Sequence, residues 1–384
     1  MTKNCSRREF LRSVGVSVAG AYLVPSVSAF ARSAPTAPVA VAKCQTYGPE
    51  VLPTLVAMFD QLGGLGRLVR NKTVAIKLNL TGTPIVRLGY APAEATYWTH
   101  PKVIGAVVHL MGKAGARRIR LLESPMSTAE SLEEFMLSSN WEPRDFLSAA
   151  PRVEFENTNF LGYGKKYYRL WVPGGGLMYK AYDLNHSYED CDVFVSIAKL
   201  KEHDTAGVTL SMKNCFGITP CTIYGDACDV DEPSLVPKGG RGPFHWGNRQ
   251  PSKSALPEND PSSPRDGGYR VPRVVADLAA ARPIHLAIID GIETQAGGEG
   301  PWVPDARPVK AGVLIAGTNC VATDAVGTAI MGFDPMAVRG TPPFEKCDST
   351  LQLAEQLGVG TRDLQQIEVV GTPISQAKVD FRHV

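Results

Sequence analysis

The 384-residue sequence has no block of consecutive basic residues, and its formal net charge is only +2. Nucleic-acid binding rests on clustered Lys and Arg that neutralise phosphates, so that class of function is excluded. The apolar run near the N-terminus falls short of the ~17–25 residues that a membrane-spanning helix needs. No transmembrane span is therefore expected in the mature chain. No repeat recurs at a solenoid period. Familiar catalytic signatures are missing too: there is no G-K-[ST] loop, no H-E-x-x-H and no G-x-S-x-G. "GGLG" at Gly63 precedes a strand, where a dinucleotide fingerprint would follow one. Cysteine spacing gives neither the C-x-x-C of zinc sites nor a ferredoxin run. What is present is the composition of a globular protein, 44% hydrophobic and 20% charged. The length suits one large or two modest domains.

The N-terminus carries the most specific signal. "SRREFLR" (Ser6 to Arg12) is followed by the apolar "VGVSVAGAYLV", then Pro25 and the small-residue site Ala29-Phe30-Ala31. A charged head, a short apolar stretch and an A-x-A site make a secretory signal. The pair Arg7-Arg8, with Phe10 and Leu11 after it, resembles the twin-arginine signal. Residues 1–31 are thus expected to be a signal peptide read by the twin-arginine export machinery, and the mature protein to be periplasmic or extracellular. Residues 32–45, rich in Pro and Ala, read as a linker. Of eight cysteines Cys5 would leave with the signal. The odd remainder requires at least one unpaired thiol.

Beyond the linker, strand and helix patterns alternate. "TVAIKLNL" alternates with period two, a helix with Pro at its first position begins at His100-Pro101, and "RIRLLES" returns as a strand. "DVFVSIAKL", "IHLAIID" and "VLIAGT" are further strands, with helical segments between them. The alternation predicts an α/β fold over residues 46–384, a mostly parallel sheet with helices on both faces. Residues 225–272 are rich in Pro, Gly, Asp and Ser and read as one long loop insertion, a candidate lid. It carries Arg241, His245, Trp246, Arg249 and Tyr269, side chains suited to an anionic or planar ligand.

Open α/β sheets bind ligands outside the carboxyl ends of their strands. The first strand ends in Lys77 and Asn79, the second in Glu123, and the third in Lys199, Lys201 and His203. The fourth ends in Asp290 and runs toward Glu299; the fifth ends in Thr318 and Asn319, with Asp324 in the following helix. Lys199, Lys201 and His203 share a face if the strand continues. A helix over "TAGVTLSMKNCFG" would set Thr205, Thr209 and Lys213 on one side. So many cations are costly neighbours unless an anion or carboxylates sit among them. Either the lysines bind phosphate or carboxylate, or one has a lowered pKa and acts as base or nucleophile. His100 at its helix start is either a neutral imidazole for chemistry or a simple cap.

"KLKEHDTAGVTLSMKNCFG", "IIDGIETQAGGEGP" and "VLIAGTNCVATDAVGTAIMGFDP", with "VAIKLNL" and the His100-Pro101 helix before them, resemble the DUF362 family. That family is defined by sequence and not by a known reaction. The resemblance marks Lys77, Asn79, His100, Lys199, Lys201, His203, Lys213, Asn214, Asp290, Glu299, Gly300 and Asp324 as the positions that matter. Some members carry a ferredoxin module; this chain has none of its cysteine runs, so iron–sulfur binding does not carry over. The cofactor, a metal included, is left open. Lys199, Lys201, His203, Lys213 and His100 are the catalytic candidates. Lys77, Asn79, Asn214, Glu123, Asp290, Glu299, Gly300 and Asp324 are the substrate-binding ones. Two functions are expected from these residues. One is an exported enzyme acting on a small anionic substrate through Lys/His acid–base chemistry. The other is a non-catalytic exported protein that holds an anion or cofactor.

Overall fold

The computed structural model describes residues 34–226 and 239–384 apart from 127, 163 and 165, and of the segment between them only 234, 236 and 237. The expected signal peptide and Cys228 lie outside the described residues. Eight strands make the main sheet: β1 (Val39–Lys43), β2 (Thr73–Lys77), β3 (Arg118–Glu123), β4 (Val153–Asn157), β5 (Val193–Lys199), β6 (Leu286–Gly291), β7 (Val313–Gly317) and β8 (Val369–Gly371). Their order is β8-β1-β7-β6-β5-β2-β3-β4. Every pairing is parallel except those of β7, which runs antiparallel to both β1 and β6. The expected α/β sheet is thus present, with one reversed strand.

Period-two alternation sorts the side chains to two faces. Val74, Ile76, Val193, Val195 and Ile197 pack on one face with α1 (Val51–Gln61) and α2 (Pro101–Lys113). Ala75 and Phe194 point to the other, where Val271, Val274, Val275 and Leu278 of a later helix cover them. That helix spans Gly267–Ala281 and begins inside the segment read as loop, so the irregular stretch ends earlier than Pro272. Pro272 sits within it because the Gly268 carbonyl, which a proline cannot bond, accepts instead from the Asp348 N–H at 2.8 Å.

The 32–45 segment needs a larger correction. Val39, Ala40 and Val41 are fully buried, and β1 lies inside the sheet between β7 and β8. Alternating Val and Ala supplied the strand; the flanking prolines gave the segment the composition of a linker.

Strand order fixes where a ligand can sit. From β2 the chain steps outward through β3 and β4, then returns to the other side of β2 as β5. The β2/β5 boundary is therefore a topological switch point, and a crevice opens at its carboxyl end.

Candidate functional site

At that boundary lies a cavity of about 350 Å³. Lys77, Asn79, Glu123, Lys201, His203, Lys213, Asn214 and Glu299 all line it, so the structure brings together residues from four separate sequence segments. Four cationic side chains, Lys77, Lys201, Lys213 and Arg241, face two inward carboxylates, Glu123 and Glu299. Asp204 at the mouth pairs outward with Lys346 at 3.1 Å.

The floor is a closed ion pair. Lys77 Nζ lies 2.5 Å from Glu123 Oε1 and donates to the Leu78 carbonyl and to Asn214 Oδ1. Glu123 also accepts from the Leu80 and Ser124 N–H groups. This pair is neutral overall and shapes the pocket.

Above it the charge is not balanced. The Lys201 ammonium donates to the Glu299 main-chain oxygen at 2.5 Å and sits 5.9 Å from the Tyr97 ring centre. Lys213 Nζ lies 4.4 Å over the Phe216 ring and, among the described residues, has no hydrogen-bond acceptor or carboxylate partner. Burial brings both lysines down to about 7, with Glu299 pulling them up and neighbouring cations pushing them down. A half-charged amine in a cavity is what an anion-binding or nucleophilic site needs.

Arg241 supplies a permanent charge. Its backbone adopts the left-handed region (φ 67°, ψ 52°), a strained conformation for a side chain of this size. The guanidinium is clamped by the Thr219 and Ser124 oxygens. Its Nη1 is left without a partner among the described residues.

Two histidines complete the wall in opposite tautomers. His203 Nδ1 accepts the Thr205 N–H at 3.2 Å, so the neutral ring carries its proton on Nε2. His245 Nδ1 faces the Arg241 carbonyl at 3.1 Å and must donate, which leaves Nε2 as a free base. Burial first, then Lys213, pushes His203 well below its usual value and His245 down to about 4. Burial disfavours the charge on Glu299, but the His203 ring and the Trp302 and Asp204 N–H donors bring it down to about 2. Trp246 and Trp302 stand at the rim, both half exposed. Gly82 and Gly300 make room for Trp302, since a Cβ at either would meet its ring at 2.7 and 2.3 Å.

Other expected residues lie elsewhere. Lys199 shares a face with Val195 and Ile197, opposite to Lys77, and points toward α1 and α2. There it donates to Asp290 at 3.0 Å, to Tyr47 at 2.9 Å and to the Glu94 carbonyl at 2.8 Å. His100 caps α2 by accepting the Lys102 N–H, stacks on Tyr47 at 3.6 Å, and gives its own N–H to Asp290. Burial and then Lys199 lower it to about 4, so the imidazole is neutral, but it is a cap outside the cavity. Lys201 parts from Lys199 because β5 stops at Lys199 and the chain folds into a small hairpin, Glu202–His203 against Gly207–Val208. The expected long helix therefore shrinks to α3 (Leu210–Asn214), although Thr205, Thr209 and Lys213 still reach the cavity. Asp324 accepts the Ser211 and Met212 N–H groups and the Ser211 hydroxyl, fixing the start of the helix that carries Lys213. The ends of β7, Thr318 and Asn319, fall at the opposite end of the sheet because β7 runs backwards.

Arg241, His245 and the two tryptophans were absent from the strand-end set. The signal for three of them was the cluster of Arg, His and Trp within the Pro/Gly-rich segment. Among the described residues no group of three His, Cys, Asp or Glu side chains is placed to hold a metal ion, and Cys44, Cys191, Cys215, Cys320 and Cys347 are free thiols.

The sequence profile described as "Domain of unknown function (DUF362)" matches residues 74–329. A thylakoid-associated protein of Synechocystis is 24% identical over 302 residues, 78% of this chain and 76% of that one. A crystal structure of a Thermotoga maritima protein, a structural genomics target, aligns with 82% of this chain at 13% identity and a TM-score of 0.37. The present chain spans 60% of that one.

Proposed function

The chain belongs to the DUF362 family, and on that premise we propose that the cavity is the active site of an enzyme acting on a small anionic substrate. One observation carries the reading: Lys201 and Lys213, neither in an ion pair among the described residues, line a cavity beside an arginine clamped in a strained conformation, with Glu299 the one carboxylate acting on both lysines there. Three cations sharing a single carboxylate, Glu299, are costly unless a ligand supplies the remaining counter-charge. Arg241, Lys201 and Lys213 hold the anion. His245 Nε2 is the base, His203 Nε2–H donates to a substrate oxygen, and Trp246 and Trp302 flank the entrance. The twin-arginine pattern at Arg7 and Arg8 supports work outside the cytoplasm. The described residues contain no helix long and apolar enough to cross a membrane.

The test is calorimetric titration of the mature chain with inorganic phosphate and with pyruvate at mildly acidic pH. Both bind the wild type and raise its melting temperature by mass action. Lys201→Met loses the binding while melting as wild type does. Equal binding by that variant, or no binding of either anion, overturns the site.

A further inference from the structure

We infer that Lys213 is a nucleophile that forms an imine with the carbonyl carbon of a small 2-oxo acid, Arg241 holding the carboxylate. The inference rests on the anion-site reading above and deepens it. Lysine chemistry of this kind needs an amine that is accessible, uncharged and free of competing acceptors. Among the cavity's cations Lys213 alone meets all three conditions. Lys77 is locked to Glu123, and Lys201 is tied to the Glu299 carbonyl. Arg241 cannot lose its proton. Lys213 has only the Phe216 ring beneath it, and α3, anchored by Asp324, fixes its direction. Lys77, Arg241 and Lys201 surround it as cations, His203 and His245 as neutral rings, with Glu299 as the nearby carboxylate. Burial first, and then Arg241 and Lys77 against the opposing pull of Glu299, make the ammonium form expensive, and about half the amine is free near neutral pH.

The neighbours also carry the protons. The Lys213 nitrogen attacks the carbonyl carbon, and the C=O electron pair moves to oxygen. His245 Nε2 takes the proton that the nitrogen sheds and returns it to that oxygen, giving the carbinolamine. A second proton, from the Lys201 ammonium, lets the oxygen leave as water while the nitrogen lone pair closes the C=N bond. The iminium keeps the positive charge that Lys201 gave up, and no oxidant or reductant is consumed. His203 Nε2–H is placed on the same wall to hydrogen-bond the departing oxygen. The rim tryptophans exclude bulk water that would reverse the step.

The experiment treats the mature chain with pyruvate and borohydride and maps adducts by peptide mass spectrometry. One carboxyethyl group is expected on Lys213. It is lost in Lys213→Arg, which keeps charge and bulk, and retained in Lys346→Arg, a change at an exposed lysine outside the cavity; unfolding curves of both variants confirm that they are folded. Trapping passes through a maximum near pH 7, because attack needs the free Lys213 amine and loss of water needs the Lys201 ammonium. Adducts on other lysines that persist in Lys213→Arg, or none at all, overturn the inference. Phosphate binding, measured on the same samples, separates the two claims. If phosphate binds and no adduct forms, the nucleophile fails and the anion site stands. If neither is seen, both fall.

Discussion

Replacing Lys199 with Met tests the division of the lysines into structural and ligand-binding groups. Both partners of the Lys199–Asp290 pair have no exposed side-chain surface. The ammonium makes three hydrogen bonds, to Asp290, Tyr47 and the Glu94 carbonyl. Burial lowers its pKa, and Asp290 works in the opposite direction. Met fills most of the space of the stem but strips Asp290 of its counter-charge, leaving a buried carboxylate held only by neutral donors. Removing one partner of such a pair costs about 3–5 kcal/mol. With an unfolding entropy of roughly 2.1 cal/mol/K per residue over about 350 residues, that is a fall of roughly 4–7 °C in melting temperature. Lys201→Met is the control, because among the described residues Lys201 forms no ion pair, and Glu299 keeps its Asp204 and Trp302 donors without it. Its folded value near 7 lies below the unfolded 10.5, so the folded chain binds fewer protons between them, and stability rises with pH across that window. Removing the group relieves the cost that is largest below pH 7, so the variant melts at or above wild type there. A double change, Lys199→Met with Asp290→Asn, recovers much of the loss, since no charge is then stranded. Calorimetry or denaturant unfolding at one pH reads all three. Equal melting of Lys199→Met and wild type would refute the buried-pair account, as would a large fall for Lys201→Met.

Anion affinity should decline as pH rises through about 7, where Lys201 and Lys213 lose their protons; His245 near 4 and Glu299 near 2 do not titrate there. Phosphate titrations at fixed ionic strength across neutrality check this, and a flat profile would remove the lysines from the binding account. Truncation of the mature chain after Lys43 should abolish cooperative unfolding, because it deletes β1 from between β7 and β8. A native melting curve for the truncated chain would return that segment to linker status. Arg7→Lys with Arg8→Lys should strand the precursor in the cytoplasm, as fractionation would show. Unchanged export, or export by a host lacking the twin-arginine machinery, counts against that signal.

The sequence by itself determined the chemistry available and the layered fold. Period-two runs such as "TVAIKLNL" and "DVFVSIAKL" give buried strands wherever they are placed, since alternation follows from the pleat. Lys77, Lys201, His203, Lys213 and Glu299 were legible because polar groups at strand ends have few other reasons to cluster. Tertiary structure decided the rest. A hydrophobic pattern encodes burial but not direction, so nothing local showed that β7 runs antiparallel and carries Thr318 and Asn319 away. Nor does local pattern reveal where a strand stops: β5 ends at Lys199, sending that lysine to Asp290 on one face and Lys201 into the cavity. Val39–Lys43 was hidden by its Pro/Ala surroundings, because a five-residue strand becomes favourable only when both neighbours bury it. Arg241 and His245 reach the cavity from an irregular segment that has no periodicity to read. Their positions are set by long-range hydrogen bonds, Arg241 to Ser124 and His245 back to Arg241, which exist only once the chain has closed on itself.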